Sequence, residues 1–316
     1  MKKSRDMSSR YHAHHSSSQG GKRSSLRRHL KIIARGERTL AIGLPPFIWQ
    51  LTFFYFPLVF IILISVIKFS FSGNFIGWTT ENFTSIFSYD YFRIIMRSLV
   101  LSGMTACFCW VIGYPLACFL SCYARRFKAF LLFLFVIPFW TNLLLHVYSW
   151  CFVLEKSGFV NQFLLMVGWI KWPIRFLNSS FAIILMMIYC YLPFMVLPIF
   201  SALERFNHHL LEASQDLGAS WYQTWRNITL PLTFPAIRAG FFLVFISSFG
   251  EFIIPELIGG DKQYYVGNVI SQYMLGETTR GVGSAFMILS CGCLAVTIFF
   301  VNLILKKIER SLGGII

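Results

Sequence analysis

Leu211-Glu212-Ala213-Ser214-Gln215-Asp216-Leu217-Gly218-Ala219-Ser220 runs on through Trp221 to Asn227 and closes with Ile228-Thr229-Leu230-Pro231. Glu212, Ala213, Gln215 and Asp216 favour or start a short helix, and Gly218 is placed to end it with a left-handed residue. Pro231 has no backbone donor and is expected to prevent easy continuation into the segment that follows. The stretch is polar enough to leave a membrane, yet it is patterned rather than random. A structured loop between two apolar runs is the reading it supports.

Outward from this loop lie apolar runs, from about Leu44 to Ile67, Ser98 to Tyr123, Phe130 to Leu154, Phe181 to Leu203, Phe234 to Ile258 and Ser284 to Leu305. Each is long enough to cross a bilayer as a helix of about 20 residues. Composition agrees: 56% of the residues are hydrophobic, 13% are charged, and the mean hydropathy is +0.62. Soluble domains average about 25% charged residues. The expected fold class is therefore an all-α integral membrane protein with six transmembrane helices, and 316 residues leave no room for a large soluble domain beside them. The expected organisation is a disordered basic tail over residues 1–39, a membrane domain over 40–310 holding the loop at 204–233, and a short tail at 311–316.

A net charge of +15 suggests nucleic acid in a soluble protein, but here the basic residues report topology. With the N-terminus inside, 20 Lys and Arg fall on the inner side and 8 on the outer. Both termini and the 204–233 loop are then cytoplasmic. The N-terminal tail supplies most of this asymmetry, with the short Arg125, Arg126 and Lys128 turn adding to it. The tail has too little apolar surface to fold alone. Its His12, His14 and His15 read as solvated rather than metal-binding, and Gly20 to Ser24 lacks the spacing of a phosphate loop. The first apolar run is too long for a signal-peptide core and ends without a cleavage pattern, so it reads as a retained helix.

The eight cysteines, Cys107, Cys109, Cys118, Cys122, Cys151, Cys190, Cys291 and Cys293, all fall in apolar runs and form no C-x-x-C pair. They read as small packers. Gly113, Ala117 and Ser121 place small side chains on one helix face, where a neighbouring helix can approach closely. Pro57, Pro115, Pro138, Pro193, Pro198 and Pro255 are expected to kink the helices they interrupt or border. Catalytic signatures are absent: there is no H-E-x-x-H, no G-x-S-x-G and no P-loop. A membrane enzyme would have to use isolated groups such as His146 and Glu251.

Glu251 lies inside an expected span, 17 positions after Phe234 and 7 before Ile258. On a continuous helix it sits about 10 Å from the outer end. Such a group is costly in lipid and faces a partner or a cavity. Either it is structural, satisfied by a neighbouring helix or by backbone near Gly250 and Pro255, or it lines a translocation path and meets a cation. In the second reading Glu256 and Asp261 form an acidic outer entrance, and Trp140, Tyr148, Tyr189 and Phe249 offer cation-π contacts.

The 211–231 stretch resembles the cytoplasmic coupling loop of binding-protein-dependent ABC importer permeases, whose pattern is E-A-A, three residues, G, nine residues, I-x-L-P. Glu212, Ala213, Gly218, Ile228, Leu230 and Pro231 match it, and Ser214 stands in for the second alanine, a small-for-small change. Ile112-Gly113-Tyr114-Pro115-Leu116-Ala117, Val136 to Asn142, Tyr191 to Pro198 and Phe249 to Gly260 resemble the spermidine/putrescine branch of that family.

The resemblance implies a type I ABC importer in a bacterial cytoplasmic (inner) membrane. It implies two ABC ATPase subunits that carry ATP and Mg²⁺, a second permease subunit in a heterodimeric pore, and an extracytoplasmic solute-binding protein. Glu212 to Gly218, with Ile228, Leu230 and Pro231, would then dock the ATPase. No cofactor, metal or nucleic acid is expected on this chain. A permease for another small solute, a stand-alone channel or a secondary transporter are the alternatives, and the coupling loop separates an ABC permease from the last two.

Overall fold

The structure is a computed structural model that describes residues 43–69, 75–122, 127–206, 209–260, 264–276 and 279–313. The basic tail with its histidines and glycines, the Arg125 and Arg126 turn, and Asp261 lie outside the described residues. The chain divides into two compact units, residues 1–63 and 64–316. Helix α1 (Gly43–Ser65) makes up the described part of the first and enters the second at its end. Within it a π turn, Leu51–Tyr55, comes just before Pro57, which has no N–H to give the preceding turn.

The elements that follow are β1 (Ile67–Phe69), β2 (Phe75–Trp78), α2 (Glu81–Ile86), α3 (Tyr89–Cys122), α4 (Lys128–Trp140), α5 (Leu143–Leu154), α6 (Phe159–Met166), α7 (Ser180–Glu204), α8 (His209–Asp216), α9 (Trp221–Phe249), α10 (Ile253–Gly259), α11 (Val266–Leu275) and α12 (Arg280–Gly313). The protein is helical, as its composition requires, with one addition: β1 and β2 pair antiparallel, Ile67 opposite Trp78. Asn82 holds this hairpin by donating from Nδ2 to the carbonyls of Ser65 and Ile67 at 2.8 and 3.0 Å.

The core of the second unit is built by α3, α7 and α9. Met186, Met187, Met195, Val196 and Ile199 of α7 are fully buried, with Ala106, Cys109 and Ala117 of α3 and Val244 of α9. Between helices in lipid there is little hydrophobic gain, so close packing by small residues has to do the holding. Gly113 of α3 and Gly240 of α9 provide it, both against α7. A Cβ on Gly113 would lie 3.2 Å from Val196 Cγ2, and one on Gly240 would lie 3.2 Å from the Met195 Cα. The small-residue face read around Gly113 and Ala117 is therefore a helix contact.

Among the described residues five helices are long and apolar enough to cross a membrane: α1, α3, α7, α9 and α12. The third expected span, Phe130 to Leu154, is instead two helices, α4 and α5, with Thr141 extended between them and Asn142 capping α5 by accepting from Leu144 N at 2.9 Å. The pair still runs the length of α7: Lys128 pairs with Glu204 at its C-terminal end, and Leu154 lies beside Phe176 and Asn178 near its N-terminal end. The fifth expected span, Phe234 to Ile258, is also broken. Helix α9 stops at Phe249, Gly250 to Phe252 leave the helix, and α10 begins at Ile253. Prolines 115, 193, 198 and 235 sit within continuous helices. The interruptions come where Asn142 and Glu251 cap a new helix, and proline placement alone does not forecast them.

The expectation at Pro231 also needs correction. The chain does not leave the helix there: α9 starts ten residues earlier, at Trp221, and runs through the proline. A π turn, Trp225–Thr229, precedes it, with Leu230 N–H reaching back to the Trp225 carbonyl. The wider turn makes room for a residue that cannot donate. Arg238 lies within α9 and pairs with Glu309 of α12 at 2.6 Å.

Candidate functional site

Two polar constellations stand out, one at each end of the argument from sequence. The first is the helical hairpin α8–α9. Helix α8 ends in a Schellman turn: Gly218 adopts φ +81°, Ala219 N donates to the Ser214 carbonyl at 3.0 Å, and Gly218 N donates to that of Gln215 at 2.9 Å. Ser220 then opens α9 with a reciprocal capping box to Gln223. The sequence signal at Gly218 was conformational, and the structure agrees, since a Cβ there would meet nothing within 4 Å.

Glu212, Ala213, Asp216 and Leu217 point away from the protein, and Leu217 is 89% exposed. Glu212 has its side chain 70% exposed and its carboxylate 3.1 Å from His209 Nδ1. Ser214 faces inward, where its Oγ lies 2.7 Å from Thr224 Oγ1. Ile228 and Leu230 are half-buried and Pro231 is buried, so these three motif residues belong to the crossing helix rather than to the outward face. The hairpin shares its end of the bundle with the start of α4, because Lys128 meets Glu204 at the end of α7.

The second constellation forms where the two broken crossings meet α7. A cavity of about 200 Å³ is lined by Thr141, Leu143 and His146, by Tyr189, Cys190, Tyr191 and Phe194, and by Glu251. Glu251 sits in the non-helical segment after α9. Its Oε1 accepts from the N–H groups of Phe252 and Ile253 at 3.1 and 3.0 Å, and its Oε2 accepts from the Tyr191 hydroxyl at 2.6 Å. The carboxylate thus closes the N-terminal end of α10 while showing one oxygen's side to the cavity. On the far wall, His146 contacts Thr141 Oγ1 through Nε2 and the Tyr189 hydroxyl through Nδ1, the latter at 3.2 Å. Close packing supports the break: a Cβ on Gly267 of α11 would come within 2.6 Å of the Glu251 carbonyl oxygen.

Of the residues expected along a path, Glu251 and Tyr189 line this cavity. Trp140 is 78% exposed and packs edge-on against Phe133, and Tyr148 is exposed as well; neither lines it. Phe249 is buried in a separate apolar cluster with Ile86, Ile95, Val266 and Phe286. Glu256 is exposed on α10 and contacts the Asn268 amide of α11. Thr141, Tyr191 and Phe194 carry no individual signal in the sequence, although each falls in a stretch quoted for its resemblance, and His146 reads there only as an enzymatic group. Among the described residues no Lys or Arg lines the cavity, and Glu251 is its one carboxylate.

Comparison with known proteins adds the following. The family described as "Binding-protein-dependent transport system inner membrane component" matches residues 110–313. The spermidine/putrescine transport system permease protein PotB of Haemophilus influenzae is 37% identical over 267 residues, 84% of this chain and 93% of that protein. PotB of Escherichia coli is 39% identical over 208 residues, 66% of this chain and 76% of its own length. Among solved structures, a bacterial ABC transporter involved in the import of the acidic polysaccharide alginate superposes with a TM-score of 0.69 at 23% identity, covering 89% of this chain and 99% of that one.

Proposed function

The chain belongs to the family of binding-protein-dependent transport system inner membrane components, and from that premise we propose that it forms half of the translocation path of a polyamine importer. It is a permease subunit and not an enzyme. In the proposed assembly it works with a second, distinct permease, with ATPase subunits that bind ATP and Mg²⁺, and with an extracytoplasmic binding protein that delivers putrescine or spermidine. Both termini and the α8–α9 hairpin face the cytoplasm.

The observation that carries the cargo assignment is the cavity around Glu251. A carboxylate beside two tyrosines and a phenylalanine, with His146 and no Lys or Arg among the described lining residues, suits an alkylammonium group and disfavours an anion. The tyrosine hydroxyl and two backbone N–H groups hold the carboxylate in place, so an arriving amine meets a preorganised acceptor. One carboxylate can neutralise one amine. The remaining charge of a polyamine is left to the binding protein and to the partner permease.

At the opposite end, the exposed carboxylates and Leu217 of α8 supply the kind of rigid surface that an ATPase groove receives. The physical requirements are a short capped helix, small residues for approach and a fixed turn, and all three are met by residues 209–220.

The deciding experiment is reconstitution of the complex in vesicles with a loaded binding protein, offered a panel of polyamines, amino acids and anions. ATP-dependent uptake of polyamines alone is the expected result; uptake of an anion in preference would refute the cargo assignment. Topology is tested by cysteine labelling in intact cells. A membrane-impermeant reagent that reaches residue 217 from outside would overturn both the orientation and the docking role.

A further inference from the structure

We propose that the hydroxyl pair Ser214–Thr224 is a positioning pair that fastens α8 to the first turn of α9, so that displacement of α8 turns the fifth crossing helix instead of bending the loop between them. This rests on the transport reading above and adds a residue pair to it. Ser214 takes the place of an alanine in the family pattern, and the sequence presents that change as neutral. In the structure it is not.

Ser214 is 7% exposed and Thr224 is 6% exposed, and their hydroxyl oxygens are 2.7 Å apart. Either hydroxyl can donate across the pair, and the Ser214 hydroxyl also lies 3.2 Å from the Leu211 carbonyl, which can take its proton when Thr224 donates. The turn that this bond spans has little packing of its own. Leu217, Gly218 and Ser220 are exposed, and space around the Gly218 Cα is open. Two short helices joined by such a turn are free to splay unless something crosses between them, and a buried hydroxyl pair away from water is well placed to do so.

The link continues inward. Trp225, next to Thr224, lies edge-on to Tyr114 of α3 with ring centroids 6.1 Å apart, and the Tyr114 hydroxyl is 3.3 Å from Thr233 Oγ1. Motion delivered at α8 therefore reaches both α9 and α3 through directly touching groups.

The test uses the full complex in vesicles and reads polyamine moved per ATP hydrolysed. Ser214→Ala and Thr224→Val are each expected to lower that ratio about fivefold, the factor equivalent to a net hydrogen bond of about 1 kcal/mol. The double variant should lose no more than either single one, and Thr224→Ser should retain the wild-type ratio. Capture of the ATPase should stay unchanged, because Ser214 and Thr224 face inward, off the docking face to which the sequence pattern assigns Ser214, and the outward residues of α8 are untouched. An unaltered ratio in the single variants, additive losses in the double, or a matching fall in ATPase capture would overturn the proposal. Amide hydrogen exchange at Gly218 and Ala219 of the chain in detergent gives a readout independent of transport: faster exchange in Ser214→Ala is expected, and unchanged exchange counts against the pair. If the wild-type complex moves no polyamine, the transport reading falls and the exchange result alone decides the latch.

Discussion

Glu212 and Glu251 are both single carboxylates at the start of a short helix, yet the protein treats them in opposite ways. Glu212 leans into solvent, 70% exposed, with His209 as its neighbour. Glu251 is half-buried and engaged by a tyrosine hydroxyl and two backbone donors. An exposed ion pair contributes about 0–1 kcal/mol, so Glu212 does little for the fold and its charge is available to something outside the chain. Removing a buried carboxylate's partners, by contrast, strands charge or donors. The same functional group is thus turned outward in one place and held by the fold in the other.

The contrast can be broken most severely at Glu251. Glu251→Gln keeps the shape and a capping oxygen but removes the charge; polyamine uptake at limiting substrate should fall about tenfold or more, with ATPase capture retained, since a hydrogen bond to a charged group is worth about 1.5–3 kcal/mol. Unchanged uptake would reduce Glu251 to a helix cap. Glu212→Lys should do the reverse, lowering ATPase capture and coupled uptake several-fold while the thermal midpoint of the chain stays within error; a shifted midpoint would show that the carboxylate supports the fold after all. Tyr191→Phe is expected to raise the polyamine concentration for half-maximal uptake by a few-fold, because it withdraws one of three donors and leaves the charge. Gly218 gives the smallest effect and the finest distinction. With open space around it, only its φ of +81° resists substitution, so Gly218→Asn should be nearly silent in ATPase capture and Gly218→Val should weaken it, by about 1–2 kcal/mol at most. Equal loss in both variants would mean that the partner, and not the turn, excludes the side chain.

These two regions also differ in how far the sequence discloses them. The hairpin is local: Gly218 bonds to Gln215, Ala219 to Ser214, and Ser220 to Gln223, so the spacing of a few residues suffices to find helix, stop and restart. What the spacing hides is lateral, namely the Ser214–Thr224 contact and the passage of α9 through Pro231 on a π turn. The cavity is assembled from positions as far apart as Thr141 and Glu251, which meet only when α5, α7 and the segment after α9 pack together. Hydropathy averages over a window, so one Asn or Glu that caps a new helix disappears into an apolar run. For that reason the runs from Phe130 to Leu154 and from Phe234 to Ile258 read as unbroken, and the depth assigned to Glu251 from a straight helix does not apply. The aromatic residues chosen for a path fared according to facing, which no run of apolar letters reveals: Tyr189 reaches the cavity and Phe249 packs elsewhere.

The π turn at Trp225–Thr229 carries a consequence for the azimuth of everything before it. Successive α-helical residues advance by about 100°, so a turn that holds an additional residue resets the phase between the hairpin and the membrane-embedded length of α9. Leu51–Tyr55 sets up the same offset ahead of Pro57 in α1. Without the wide turn to take it up, one residue more or fewer within 225–229 would swing the hairpin roughly a quarter of the way around the helix axis. The direction in which this chain offers α8 is accordingly a matter of residue count as much as of residue identity.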